Sequence, residues 1–300
     1  PDRLRSPVVY QLRKPHGDLA PWIEHYWFVT SDRGPVDIRV DVFVDGRADL
    51  IFNFGVPYAR EVIGGEKTKH ARSNLDAQRV VPIRILQRGL VRIAGVRFRL
   101  GGLGPFTREP LAPFTNLTPA PSAVLGAGAR ALDAALKATT DVDAQARLLD
   151  TFFLERLAVD DAHASFAAAL DRLTRTDGNA TVEEIAKTAG VSSRQLDRLF
   201  ARYLGIAPKV AARILRFQRT IRGLMQDPSG SLAELAVSAG YFDQAHFIKD
   251  FKRLSGGVPR GYRGYYPPES PTDFAPNVVV FLQDAAPRRA RASQPRTRST

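Results

Sequence analysis

The sequence holds 300 residues, enough for two domains that each bury a core of their own. Lysine and arginine number 43 against 31 acidic residues, so the chain carries a formal charge of +12 and favours a polyanionic partner, either nucleic acid or an acidic membrane. Its lack of cysteine excludes disulfides, thiolate metal sites and cysteine nucleophiles.

The sequence gives no sign of a membrane or export signal. No run approaches the roughly 18 apolar residues that a bilayer span requires, and the N-terminus lacks the apolar segment of a signal peptide. We therefore expect a cytoplasmic protein with no membrane partner.

The first 121 residues carry strand patterns with a period of two. Val36, Ile38 and Val40 alternate with Asp37 and Arg39, and further apolar stretches lie at 27–30, 50–54, 80–86 and 90–98. They predict a mostly antiparallel β barrel or sandwich. Its aromatic residues are interpreted as core rather than as a ligand cage: Trp22, Trp27, Phe52 and Phe54.

Residues 122–160 are a helical connector. After the Pro-rich bridge at 109–122, the composition predicts two helices that break near Thr140. An apolar stripe includes Leu149, Phe152 and Phe153. It either packs against the barrel or forms a dimer interface, and the sequence does not choose between them.

An internal repeat organises residues 161–266. At an offset of 50 residues Thr181 pairs with Ser231 and Gly190 with Gly240; one extra residue then enters the second turn, and the pairing continues at an offset of 51. Each copy has a hydroxyl cap, a short helix, a glycine turn and a second helix with a basic exposed face. These are the parts of a helix-turn-helix.

A long helix is predicted between the two copies. Its apolar stripe recurs at intervals of three and four residues, and consists of Val210, Ile214, Phe217, Ile221 and Leu224. The stretch 208–225 would be about 27 Å long, against about 34 Å between successive major grooves on one face of B-DNA. A rod of that length can hold two recognition helices in adjacent grooves.

The second copy and its flank carry a family resemblance. The segments AVSAG and FIKDFKRLSGGVPRGYR fit the spacing A-x-x-A-G, then F-x-x-x-F-K-x-x-x-G-x-x-P-x-x-Y-R, and this resembles the C-terminal signature of the AraC/XylS family of bacterial transcription regulators. The resemblance covers residues 177–266. It implies an α+β multidomain protein, with an N-terminal cupin-like sensor and an all-α domain of two helix-turn-helix motifs joined by a linker helix.

The resemblance also implies sequence-specific promoter binding and the residues that perform it. A local packing or phosphate role suits His246 as well as a base contact does, and Asp197 fits an ion pair with a neighbouring arginine. The implied base contacts are Arg194, Gln195, Asp197 and Arg198 in the first recognition helix, and Gln244, Ala245, His246 and Lys249 in the second. The implied phosphate contacts are Ser192, Arg202, Asp243, Lys252 and Arg253.

The sequence also leads to expectations about partners, cofactors and metals. Double-stranded DNA is the expected partner, and an unidentified small-molecule effector, RNA polymerase and a second copy of the chain are further candidates. No cofactor is implied, and the five histidines share no metal-ligand spacing, so we expect no metal: His16, His25, His70, His163 and His246.

We expect no enzymatic activity. The rival interpretations are a cupin-type enzyme that carries a DNA-binding appendage, and an N-terminal half that serves only for dimerisation. Residues 267–300 should form a largely disordered basic tail with a strand at 278–282.

Overall fold

The computed structural model describes residues 8–31, 34–65, 67–69, 72–227 and 229–259. Three sequence predictions therefore lie outside the described residues. They are the last residues of the DNA-binding domain, 260–266, the disordered tail and the strand at 278–282.

Two antiparallel sheets form the N-terminal region, as the alternating patterns predict. The first sheet has the strand order β1-β2-β9-β4-β7 and the second has β3-β8-β5-β6. The strands are β1 (Val8–Arg13), β2 (Ile23–Ser31), β3 (Val36–Val42), β4 (Asp49–Asn53), β5 (Ala59–Val62), β6 (Lys67–Lys69), β7 (Ser73–Asp76), β8 (Ile83–Gly89) and β9 (Arg92–Phe98).

The apolar stretch at 80–86 joins the second sheet only from Ile83. Two preceding residues cannot extend the ladder, because the Val80 amide donates to the Asn116 side chain at 2.9 Å and Pro82 has no N–H. Strand β4 is buried on both faces. Leu50 and Phe52 pack with the connector helices on one face, and Ile51 packs towards the second sheet on the other.

The connector contains three helices, so the prediction of two was wrong: α1 (Pro121–Leu125), α2 (Gly128–Ala138) and α3 (Val142–Leu154). Gly126, at φ 77°, ends the first of them, and the predicted break near Thr140 lies between α2 and α3. The apolar stripe of α3 is covered within the chain. Its Phe153 ring centroid lies 4.9 Å from that of Phe106 and 5.6 Å from that of Phe98.

Among the residues that the structure describes, six helices form the C-terminal region, and the last five follow the order that the repeat predicts. They are α4 (Asp161–Arg175), α5 (Val182–Thr188), α6 (Ser193–Tyr203), α7 (Pro208–Gln226), α8 (Leu232–Ser238) and α9 (Gln244–Ser255). Helix α7 is a single unbroken helix of 19 residues, about 28 Å long. The first helix-turn-helix is α5–α6 and the second is α8–α9.

Candidate nucleic-acid interface

Both helices of the first unit begin with a complete capping box. Thr181 Oγ1 accepts from the Glu184 amide while Glu184 Oε2 accepts from the Thr181 amide. Ser192 and Gln195 exchange the same pair of bonds at the start of α6. A cap of this kind contributes about 1 kcal/mol, so both helices begin at defined residues.

The second unit has simpler caps. The Ser231 hydroxyl accepts from the Glu234 amide at 3.3 Å, and the Asp243 carboxylate accepts from the His246 amide at 2.7 Å. Both units turn at a glycine with positive φ, 65° at Gly190 and 81° at Gly240. Only glycine adopts this conformation without strain, which explains why the repeat places it there.

Helix α6 exposes the predicted base contacts. Leu196 and Phe200 are buried, and the Phe200 ring meets that of Phe166 on α4 at 5.3 Å between centroids. The opposite face is solvent-exposed and carries Arg194, Gln195, Asp197 and Arg198. Of these four, Gln195 is held by the cap through its side-chain oxygen, so its amide NH₂ is the part left to reach a base.

The side chain of Arg202, a predicted phosphate contact, already lies against other groups of the protein. Its side chain is half-buried, and Nη2 lies 3.5 Å from the Thr107 carbonyl oxygen in the N-terminal region. The guanidinium also lies 5.4 Å from the Tyr203 ring centroid. A phosphate contact would require Arg202 to leave these neighbours.

Helix α9 repeats the arrangement of α6 with different chemistry. Phe247 and Phe251 are fully buried, while the exposed face carries Gln244, Ala245, His246, Lys249, Lys252 and Arg253. The His246 ring meets Tyr241 edge-on at 5.3 Å, and its Nε2 lies 3.8 Å from the Asp250 carboxylate. These contacts fit a packing role for His246, and they leave its exposed edge free for DNA.

The arginines of α7 bind other parts of the C-terminal region. Arg216 donates to the Gly178 carbonyl oxygen at 3.2 Å, and Arg219 and Arg222 both donate to the Asp177 carboxylate, at 3.2 and 3.1 Å. Arg213 lies 3.6 Å from Asp250. These arginines therefore hold the linker helix against both units.

The two units also meet directly. The loop before α5 brings Asn179 against Gly240 so closely that a Cβ at Gly240 would collide with the Asn179 side chain. Phe217 of α7 packs on Phe251 of α9 at 5.2 Å, and α6 also contacts α7. The relative position of the two recognition helices is therefore fixed by packing.

The C-terminal region also contacts loops of the N-terminal region. Phe43 packs edge-on against Phe217 at 5.9 Å, and Val44 bonds to two helices: its amide donates to Leu254 O at 2.9 Å and its carbonyl accepts from Gln218 Nε2 at 2.7 Å. The first unit is held by the Thr115 hydroxyl, which donates to Gly205 O at 2.6 Å. Sequence patterns did not indicate this interface.

Two other structural observations concern the remaining predictions. Within the described ranges, no helix is long and apolar enough to cross a membrane. The described residues also contain no group of three or more histidine, aspartate or glutamate side chains that could hold a metal ion.

Two family models match this chain. Residues 185–265 match a helix-turn-helix domain, and residues 11–119 match a domain of unknown function, DUF6597. The first match covers α6 to α9 and most of α5, so it coincides with the repeat. It confirms the resemblance for the C-terminal region, whereas the match to DUF6597 supports the cupin-like prediction for the N-terminal region only in part.

Two proteins similar to this chain are helix-turn-helix transcriptional regulators, in agreement with the first family match. The HTH-type transcriptional regulator GlxA of Rhizobium meliloti is 34% identical over 102 residues, which are 34% of this chain and 31% of GlxA. ArgR of Pseudomonas aeruginosa, of the same type, is 36% identical over 80 residues, 27% of this chain and 24% of ArgR. The matches thus span less than a third of either relative.

Among solved structures, one similar chain is an AraC-type DNA-binding transcriptional regulator from Chromobacterium violaceum. It is 26% identical and covers 36% of this chain and 97% of its own, with a TM-score of 0.33.

Proposed function

We propose that this chain, whose C-terminal region is an AraC-type helix-turn-helix domain, is a sequence-specific DNA-binding regulator of transcription and not an enzyme. The observation that carries the proposal is the pair of matched units on one unbroken helix, each with an exposed, cation-bearing second helix. Such a regulator would work in the bacterial cytoplasm, where the chromosome lies.

The exposed side chains suit major-groove recognition. Arg194 and Arg198 can each donate two hydrogen bonds to guanine O6 and N7, and Gln244 can pair with adenine. Lys252 and Arg253, with the amides at the start of each recognition helix, can hold phosphates. The cationic contacts would supply affinity for any DNA, and the base contacts would select the site.

Selection of bound sequences from a random DNA pool tests this function. We expect the full chain to recover two half-sites about 10–10.5 base pairs apart, because the fixed units face successive turns of the groove. The double variant Arg194→Ala/Arg198→Ala is the control, and it should lose the first half-site motif while keeping the second. Recovery of unrelated sequences, or of one half-site by the unmodified chain, would contradict the proposal.

The N-terminal region supports a further part of the proposal, that a small molecule controls binding. A cavity of about 90 Å³ lies between the two sheets, with Trp27, Val42 and Ile85 among its apolar lining. Four charged residues also line it: Asp49, Asp76, Arg79 and Arg97. Burial outweighs the attraction of Arg97 and raises the pKa of Asp49 to about 6. Mostly apolar walls with a few polar groups are typical of ligand sites.

The cavity is connected to the DNA-binding region through residues 42–46. Val42 lines the cavity, and the Asp45 carboxylate pairs with the buried Arg97, which lines it as well. Between them, Phe43 and Val44 make the contacts with α7 and α9 described above. A ligand that moves Arg97 or Val42 would therefore act on the helices that carry the second unit.

A thermal-shift screen of small molecules tests this part. A ligand that binds the folded chain raises its melting temperature, and we expect the same ligand to change affinity for the selected DNA. Trp27→Ala, which removes one wall of the cavity, is the control and should abolish both effects. A hit that is insensitive to this variant, or one that is chemically converted, would favour another site or the enzyme interpretation.

A further inference from the structure

The turn of the second helix-turn-helix is one residue longer than that of the first. In the first unit the Val191 amide bonds to Ala186 O at 3.0 Å, and in the second the Tyr241 amide makes the equivalent bond to Ala236 O at 3.0 Å. The next residue in the first unit is the cap, Ser192. In the second unit the cap, Asp243, comes one residue later.

That additional residue is Phe242, which has no counterpart in the first unit. Its two neighbours carry the structural roles: Tyr241 is buried at 4% exposure, and Asp243 caps α9. Phe242 itself is 92% exposed, the highest value among the exposed large apolar residues of the described ranges. The fold therefore gains nothing from an aromatic ring at this position.

The position of Phe242 indicates what the ring contacts. It directly precedes the cap of the recognition helix, and N-terminal residues of recognition helices contact base edges. Its following neighbours are polar, Asp243 and Gln244, whereas the core of a protein interface needs a contiguous apolar patch. An exposed ring beside a helix that carries Lys249, Lys252 and Arg253 fits DNA better than it fits a protein partner.

The chemistry of the major groove then identifies the partner group. The C5-methyl of thymine is the apolar group on that surface, and apolar side chains contact it. Ala245, three residues after Phe242, can also offer only a methyl contact. We propose that Phe242 packs against a thymine methyl group in the second half-site and makes thymine a requirement there. This inference rests on the proposed function.

Replacement of thymine by deoxyuridine removes this methyl group and nothing else. For the full chain on the selected site, we expect one such replacement in the second half-site to weaken binding about fourfold, the effect of one methyl group removed from contact. Phe242→Ala should bind the thymine site about as weakly, and should lose no further affinity on the deoxyuridine site. Phe242→Leu should keep part of the sensitivity.

Val237→Ala is the matched control. Val237 is also an exposed apolar residue of the second unit, 69% exposed on α8, and its removal should leave the deoxyuridine effect unchanged. Circular dichroism and melting temperature, measured for each variant, separate a local effect from loss of fold.

Several results would overturn the inference. One is a second half-site without a fixed thymine, and another is a deoxyuridine effect that is equal in the unmodified chain and in Phe242→Ala. A Phe242→Ala variant with unchanged DNA affinity but reduced transcription with purified RNA polymerase would assign the ring to a protein partner instead. Failure of the unmodified chain to prefer its selected site over random DNA would instead overturn the proposed function itself.

Discussion

The two helix-turn-helix units share one design but differ in their surface chemistry and in the region that supports them. The first has complete capping boxes, exposes Arg194 and Arg198, and packs through Phe166 on α4. The second has single caps, exposes Phe242 and Ala245, and packs through Phe217 on Phe43 of the loop between β3 and β4. We therefore expect polar base recognition by the first unit and apolar recognition by the second.

Substitution of Phe217 should have the largest effect on stability, because its ring packs on both Phe251 of the second unit and Phe43 of the loop between β3 and β4. Phe217→Ala should reduce the free energy of unfolding by about 3–5 kcal/mol. The milder Phe217→Leu should keep the fold but weaken protection of the second half-site in a footprint. Phe166→Leu is the control and should weaken the first half-site instead. If both variants weakened protection of both half-sites equally, the two units would not differ in the region that supports them.

Arg194→Ala should have the next largest effect. Loss of a bidentate guanine contact costs about 1–3 kcal/mol and relaxes the base preference at one position of the first half-site. Gln244→Ala, at the start of the second recognition helix, should cost less if apolar contacts dominate there. Equilibrium binding at fixed salt measures both, and a larger loss for Gln244→Ala would contradict the comparison.

Loss of a helix cap should change the free energy of unfolding by a smaller amount, and this amount should differ between the two units. Thr181→Ala breaks a reciprocal pair of hydrogen bonds, whereas Ser231→Ala removes a single bond, so the first should reduce the free energy of unfolding by about 1 kcal/mol and the second by less. Urea unfolding of the two variants measures this. Equal costs would mean that the Glu184 side chain adds nothing to its cap.

Lys252→Ala should have the smallest effect. A lost phosphate contact weakens binding to all sequences alike and lowers the slope of log affinity against log salt by about 1. Arg202→Ala should change this slope less, because the Arg202 guanidinium already lies against Thr107 and Tyr203. A larger slope change for Arg202 would show that it leaves those neighbours when DNA binds.

The C-terminal region could be predicted closely because its signals are local. The caps at Thr181 and Ser231, and the spacing of apolar residues on α7, depend on residues a few positions apart, and the structure has them as predicted. The offset change in the repeat also marked the place of Phe242, although its exposure was not foreseen.

The N-terminal region was less predictable because its stabilising contacts join distant residues. Arg97 would be assigned to a strand surface on charge alone, yet it is 1% exposed, since Asp45 and Asp49 come from a different part of the chain to pair with it. Likewise, nothing near Val44 in sequence indicates that α7 and α9 bond to it. The additional connector helix has a local cause, because Pro121 begins α1 and Gly126 ends it.

The contact of Asn179 with Gly240, together with the Arg219 and Arg222 bonds to Asp177, leaves no hinge between the units. Each base pair inserted between half-sites would rotate the second by about 35° around the duplex axis. The protein cannot follow that rotation, so a promoter with a changed spacer would have to twist or bend to be bound. Spacer length should therefore be as strictly required as the bases themselves.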